Sequence, residues 1–254
     1  VLSHIRYRNL KMKHILLALC ALLAFSMPGH SDSYKPRKPV EIISKGMSRV
    51  EKDVRKAAVR IITAGGGHGS GSVIQYKDLQ LILTAKHVTD DEIGTEYLIQ
   101  KEKSKKIAVL IYKNPSQDMA VLVLKEPFPE NVLEPMPWKI SKEHKIGTKV
   151  IYSGFPSWHS LMSFDGRIAG VENAVAAGTQ LIVNTYGWFG CSGSVIYNTS
   201  GQIVGILYGV DVEYYPEIQV QENMIWVAPI KYLPMERTLK EFCENKAHNY
   251  KACR

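Results

Sequence analysis

The sequence lacks any metal-binding spacing. Its eight histidines are scattered, and neither His-x-x-x-His nor Cys-x-x-Cys occurs in the 254 residues. No metal and no cofactor are expected on that ground. Also missing is a patch of Lys and Arg interleaved with aromatics. The formal charge is +8, but Arg6, Arg8, Lys11 and Lys13 lie in an opening stretch of 26 residues that holds no acid, and the remainder carries only +4. No nucleic-acid partner is expected from so modest an excess. The run Lys101–Lys106 reads as a solvated hairpin tip. There is no internal repeat and no low-complexity tract. The apolar run Ile15–Phe25 has 11 residues, well short of the roughly 20 that cross a bilayer as a helix.

That short run follows the basic stretch Lys11-Met12-Lys13, and small residues stand at Ala24 and Ser26. The pattern is that of a secretory signal over residues 1–26. It implies a secreted or periplasmic protein that meets a membrane only in passing. Export permits disulfides. Of the three cysteines beyond the signal, Cys243 and Cys253 are spaced to close a small loop, with Cys191 left free, but the odd number leaves the pairing open.

With 45% hydrophobic residues, the rest of the chain can bury a core of one large domain or two small lobes. Residues 27–57 read as a proline-bearing linker and a short amphipathic helix, with Ile43, Met47, Val50 and Val54 at three- or four-residue intervals. From Val59 the period changes. About twelve short β-rich runs follow, from Val59–Thr63 to Met224–Ala228, with no long helix between them. This argues for an all-β fold of antiparallel barrels rather than a parallel sheet. The lobes fall at about 58–130 and 138–229, divided by the proline-rich Pro127–Pro137. Ile230, Leu233, Leu239 and Phe242 mark a terminal helix, and 244–254 is a polar tail.

Three chemistry-bearing residues stand at the ends of apolar strands. His87 follows Leu81-Ile82-Leu83-Thr84. Asp118 precedes Met119–Leu124. Ser192 lies in Gly190-Cys191-Ser192-Gly193-Ser194, ahead of a short apolar strand. A serine hydroxyl is a weak nucleophile until a base takes its proton, and that base needs a third group to fix its tautomer. The order His, Asp, Ser supplies all three. Gly190 and Gly193 let the turn expose the hydroxyl and aim the N–H groups of Gly190 and Ser192 at one point, as an oxyanion hole requires.

These motifs resemble those of the chymotrypsin-like (trypsin-like) serine peptidase family. Thr84-Ala85-Lys86-His87 is similar to its Thr-Ala-x-His. Asp118-Met119-Ala120-Val121-Leu122 resembles its Asp-(apolar)-Ala-(apolar)-Leu, and Gly190–Ser194 its Gly-x-Ser-Gly-Gly. Gly69-Ser70-Gly71-Ser72-Val73, Gly201–Ile206 and Val227-Ala228-Pro229-Ile230 extend the likeness over roughly 58–242, nearer to bacterial HtrA-type and glutamyl-endopeptidase-type members than to digestive ones. The resemblance implies two six-stranded β-barrels with a C-terminal helix, a site in the crevice between the barrels, and protein or peptide substrates. It further implies a pocket wall from Tyr186, Gly187, Trp188 and Phe189 and from Leu207, Tyr208 and Gly209. No carboxylate is evident at the pocket base, so an apolar or small residue, not Lys or Arg, is expected before the cut bond.

Cys191 stands where digestive members carry an aspartate that pairs with a freed N-terminus, and no Ile-Val-Gly-Gly start is present, so that mode of activation is not expected. Other readings compete. One is a viral or phage peptidase maturing its own polyprotein. Another is a non-catalytic binding module on the same fold. Cys191 as nucleophile is out of register with the Gly-Gly pair. A Gly-x-Ser-x-Gly elbow served by Asp211 and His248 needs a strand–turn–helix setting.

Overall fold

The computed structural model describes residues 46–142, 144–174, 178–214 and 216–244. The expected signal segment, most of the linker, and the tail beyond Glu244 lie outside the described residues. Helix α1 (Arg49–Ala57) begins at Ser48 in a capping box: Ser48 Oγ accepts the Glu51 N–H at 3.3 Å, and the Glu51 carboxylate accepts the Ser48 N–H at 2.6 Å. This reciprocal pair satisfies two N–H groups that helix geometry leaves without partners. Sequence spacing put Ile43, Met47, Val50 and Val54 on one face of this helix; of these, Val50 and Val54 lie in it, and Met47 precedes its cap. Val54 and Ala57 are its buried face.

The twelve expected strands form two closed barrels, as the fold class required. The first contains β1 (Ala58–Ile62), β2 (His68–Tyr76), β3 (Leu79–Thr84), β4 (Glu96–Lys101), β5 (Ser104–Asn114) and β6 (Met119–Leu124), in the order β1-β4-β5-β6-β3-β2, closed by pairing of β1 with β2. All these pairings are antiparallel. Every residue of β6 is buried, which is why its sequence reads as an unbroken apolar run rather than an alternation. A two-residue β7 (Met136–Pro137) adds in parallel to β2.

The second barrel contains β8 (Lys149–Gly154), β9 (Met162–Ala174), β10 (Gly178–Asn184), β11 (Val195–Asn198), β12 (Ile203–Glu213) and β13 (Gln219–Pro229), closed in the order β10-β13-β12-β11-β8-β9. A 3₁₀ turn (Ile230–Tyr232) leads to α2 (Met235–Glu244), whose Leu239 and Phe242 join the core of the first barrel. The chain thus leaves the second barrel and docks on the first. Buried polar contacts fix the barrels against each other. Ser72 Oγ and Tyr197 OH share a hydrogen bond of 2.8 Å, and Gln180 Nε2 donates to Gln117 Oε1 at 3.1 Å. Such bonds are directional, so they set the register of the crevice as apolar packing alone does not.

Candidate active site

His87 sits in a 3₁₀ turn (Lys86–Thr89) that begins just after β3 ends. The turn buries Val88 and Thr89 and leaves the His87 side chain 44% exposed. Asp118 precedes β6. The chain reaches it through a turn in which Asn114 Oδ1 accepts the N–H groups of Ser116 (3.0 Å) and Gln117 (3.2 Å), a common use of asparagine in turns. Asp118 itself adopts φ +48°, a left-handed conformation that Asp tolerates better than most residues. In that posture it makes three contacts with the His87 turn. Its carbonyl accepts the Lys86 N–H at 3.1 Å, Oδ1 accepts the His87 N–H at 2.9 Å, and Oδ2 accepts the His87 Nδ1–H at 2.7 Å.

The Ser192 turn is bracketed by Gly190 (φ +94°) and Gly193 (φ +88°). A Cβ at Gly193 would overlap Ser70 O and Thr84 Oγ1 of the first barrel. The turn is tied down on both sides. Gly193 N–H donates to Leu207 O at 2.7 Å, and Ser70 N–H donates to Ser192 O at 2.8 Å. Gly69 lies between Val88 and the Ser192 carbonyl, with room there for no side chain. The second barrel therefore presents Ser192 at the same corner of the first barrel that carries His87. The Ser192 hydroxyl makes no hydrogen bond to a described residue, His87 included. Nucleophile–base contacts are often long in free enzymes and tighten with substrate. Neither Gly190 N–H nor Ser192 N–H donates to a described residue.

Cys191 is fully buried, with its Sγ 3.8 Å from Tyr152 OH. Burial pushes its thiol up from the ordinary value, which keeps it protonated and unreactive. A strand, β11, follows the turn in place of the helix that a nucleophile elbow requires.

The residues expected to line a pocket are spread more widely. Phe189 is 70% exposed. Tyr186 lies against Phe164, ring centroids 5.2 Å apart, and its carbonyl accepts from Tyr152 OH. Gly187 faces Ile225 and Val210 with no space for a Cβ. Leu207 is buried and holds the Ser192 turn through its backbone. Tyr208 lines a pocket of about 310 Å³ with Lys86, His87, Gln117, Asp118 and Gln180. Burial pushes its phenol up to about 12, with Asp118 and Glu172 adding to the shift. Gly209 pairs with Trp226 in the adjoining strand. Among the described residues, no three His, Cys, Asp or Glu side chains are placed to share a metal ion.

Sequence reasoning missed a group around Gly190. His68 lies in β2 and is half-buried rather than on a loop surface; Ser70 and the loop Phe155–Trp158 adjoin it. The Gly69-Ser70-Gly71-Ser72 motif signalled the place but not the contacts. The sequence suggested Trp158, His159 and His68 as possible wall residues, with loop surface the favoured reading of each, and did not suggest these contacts.

The family model for the trypsin-like peptidase domain matches residues 69–206. No curated protein matches the chain by sequence. Among solved structures, the inactive form of the Rv3671c protease is similar, with a TM-score of 0.58 and 18% identity over 76% of this chain and 91% of that one. Its active form from M. tuberculosis gives 0.56 and 18%, over 72% and 80%. A serine endoprotease from Yersinia pestis gives 0.59 and 22%, over 76% and 66%. At these identities the solved structures speak for the fold. The family match speaks for more: it spans over half of the chain, from β2 to β12, and the chain belongs to the trypsin-like peptidase family, a serine endopeptidase by class.

Proposed function

We propose that this peptidase cuts proteins or peptides through a His87–Asp118–Ser192 triad and an acyl-enzyme. Ser192 Oγ attacks the peptide carbonyl while His87 takes its proton and then delivers it to the leaving amine. Asp118 holds the imidazole in one tautomer and stabilises it once charged. The N–H groups of Gly190 and Ser192 receive the developing oxyanion, a role commonly worth about 10²–10³ in rate per donor. The observation that carries this reading is the 2.7 Å contact between His87 Nδ1 and Asp118 Oδ2, made at the corner on which the Ser192 turn is docked. It leaves Nε2 as the ring nitrogen available to a nucleophile.

We further propose that the mature enzyme is secreted or periplasmic. The basic and apolar opening segment supports export, and so does Cys243, which is disulfide-bonded; its expected partner Cys253 lies outside the described residues. Treatment with a fluorophosphonate, followed by mass spectrometry of the adduct, tests the mechanism. Modification at Ser192, lost in Ser192→Ala together with peptide hydrolysis, is the expected result. Wild-type turnover by Ser192→Ala would overturn it. N-terminal sequencing of the protein expressed in a host with a periplasm tests the export signal.

A further inference from the structure

The two peptide units that meet at Gly190 are both held by one loop. Ser157 N–H donates to Phe189 O at 2.6 Å. Phe155 N–H donates to Ser70 Oγ at 2.9 Å, and that hydroxyl in turn donates to Gly190 O at 2.7 Å. Both carbonyls flanking the Gly190 N–H are thus claimed by the loop, one directly and one through Ser70. A trans peptide unit is planar, with its C=O and N–H opposed. Fixing Phe189 O on Ser157 therefore fixes the direction of Gly190 N–H, away from the loop. Rotating this unit would break the Ser157 bond and turn a carbonyl to where the N–H had been. Gly190 fits only because it has no side chain: a Cβ would overlap Phe155 O and come within 2.8 Å of His68 Nε2 and 3.1 Å of Ser157 N.

The loop is itself anchored. His68 Nε2–H donates to Phe155 O at 3.0 Å, and the His68 ring lies 4.3 Å, centroid to centroid, from Trp158. The Arg60 guanidinium sits over the rings of Phe155 (4.7 Å) and Trp158 (5.5 Å) and donates to His159 O at 2.6 Å. Between these anchors Ser157 has φ +49°, a conformation that a non-glycine residue keeps only when its surroundings impose it. The strained residue is the one whose N–H meets Phe189 O.

We propose that the Phe155–Trp158 loop, clamped by His68 and Arg60, is the device that aims Gly190 N–H at the reacting carbonyl, with His68 and Ser70 as its positioning residues. The proposal rests on the reading in which Gly190 and Ser192 form the oxyanion hole. His68→Leu removes the donor to Phe155 O and keeps an apolar body. His68→Gln keeps a donor. For His68→Leu, kcat on a peptide substrate should fall roughly 10- to 100-fold, less than for outright loss of a donor because the N–H survives but is misaimed. KM should stay within about three-fold, since the contact is made in the transition state. Affinity for a peptide aldehyde, whose hemiacetal places an oxyanion in the same spot, should fall in parallel, while a substrate-like competitive peptide binds unchanged. His68→Gln should recover most of the loss. If His68→Leu does not fold, Ser70→Ala makes the same test, because it severs the bridge to Gly190 O. The proposal is overturned if a folded His68→Leu or Ser70→Ala keeps wild-type kcat, or if aldehyde and competitive peptide weaken equally. Failure of the underlying triad reading looks different: the wild type itself would then take no fluorophosphonate at Ser192.

Discussion

Asp118 grips His87 at two points, with Oδ1 on the main-chain N–H at 2.9 Å and Oδ2 on ring Nδ1 at 2.7 Å. One carboxylate therefore fixes both where the histidine backbone lies and which ring nitrogen carries the proton. The two jobs can be separated. Asn at this position keeps an oxygen for the main-chain N–H and accepts φ +48° without much strain, but it turns an NH₂ toward Nδ1. The ring must then carry its proton on Nε2, where it cannot act as a base. Asp118→Asn should melt within a few degrees of wild type and lose roughly 10⁴-fold in kcat, as the general Ser-His-Asp template does. Circular dichroism melts and steady-state hydrolysis measure the two halves of that expectation.

The strands and the terminal helix were legible because each carries its own local pattern, whereas their closure into two six-stranded barrels came from the family resemblance. Met119–Leu124 is apolar throughout, being buried on both faces, and the turns between strands are marked by Gly, Asn and Asp. His87, Asp118 and Ser192 stood out because each sits where such a pattern stops. What surrounds Gly190 was illegible for the opposite reason. Ser157 contributes a main-chain N–H, and Ser70 a bridge between two other backbone groups. Contacts to backbone atoms across 32 or 120 residues leave no trace in side-chain periodicity. The surroundings of Gly187 were not legible either: Ile225 and Val210, which face it, belong to strands whose register across the second barrel short patterns do not specify.

Gly193 tests whether the Ser192 turn must be docked on the first barrel. Its φ of +88° and the overlap of any Cβ with Ser70 O and Thr84 Oγ1 leave no room for adjustment by a flexible side chain. Gly193→Ala should cost at least about 2 kcal/mol in stability from backbone strain and overpacking together. It should also abolish measurable turnover, because the turn must lift away from β2 and take Ser192 with it. Denaturant unfolding and active-site titration check this; a folded, fully active Gly193→Ala would show that the docking is incidental.

Cys191 adjoins Ser192, the proposed nucleophile, but should behave as a small core residue. It is fully buried, and burial raises its thiol above the ordinary value. Native protein at neutral pH should resist iodoacetamide, whereas the same protein in denaturant should react at this site. Cys191→Ala should retain hydrolysis within a few-fold and lose about 1 kcal/mol for the small void it leaves. Rapid alkylation of the native enzyme with parallel loss of activity would argue that the thiol is exposed to solvent during turnover.

Lys101, at the end of β4, is 4% exposed, and its ammonium donates to Arg55 O at 2.9 Å and Ala58 O at 3.0 Å, two carbonyls at the end of α1. Burial pulls its pKa from 10.5 down to about 8, against a smaller opposing pull from Glu102. Below pH 8 folded and unfolded chains both hold this proton, and the folded state bears the full cost of the buried charge. Between pH 8 and 10.5 the unfolded chain still holds the proton and the folded chain does not, so stability from this group rises with pH through that window. The total is on the order of 3 kcal/mol at about 1.4 kcal/mol per pH unit. Lys101→Met has no charge to lose and should lack this rise. Effects common to both proteins cancel in the Tm of wild type minus that of Lys101→Met, which should climb from pH 7.5 to 10. A difference that stays flat would mean that Lys101 keeps its proton when folded and that the two carbonyls hold an ammonium throughout.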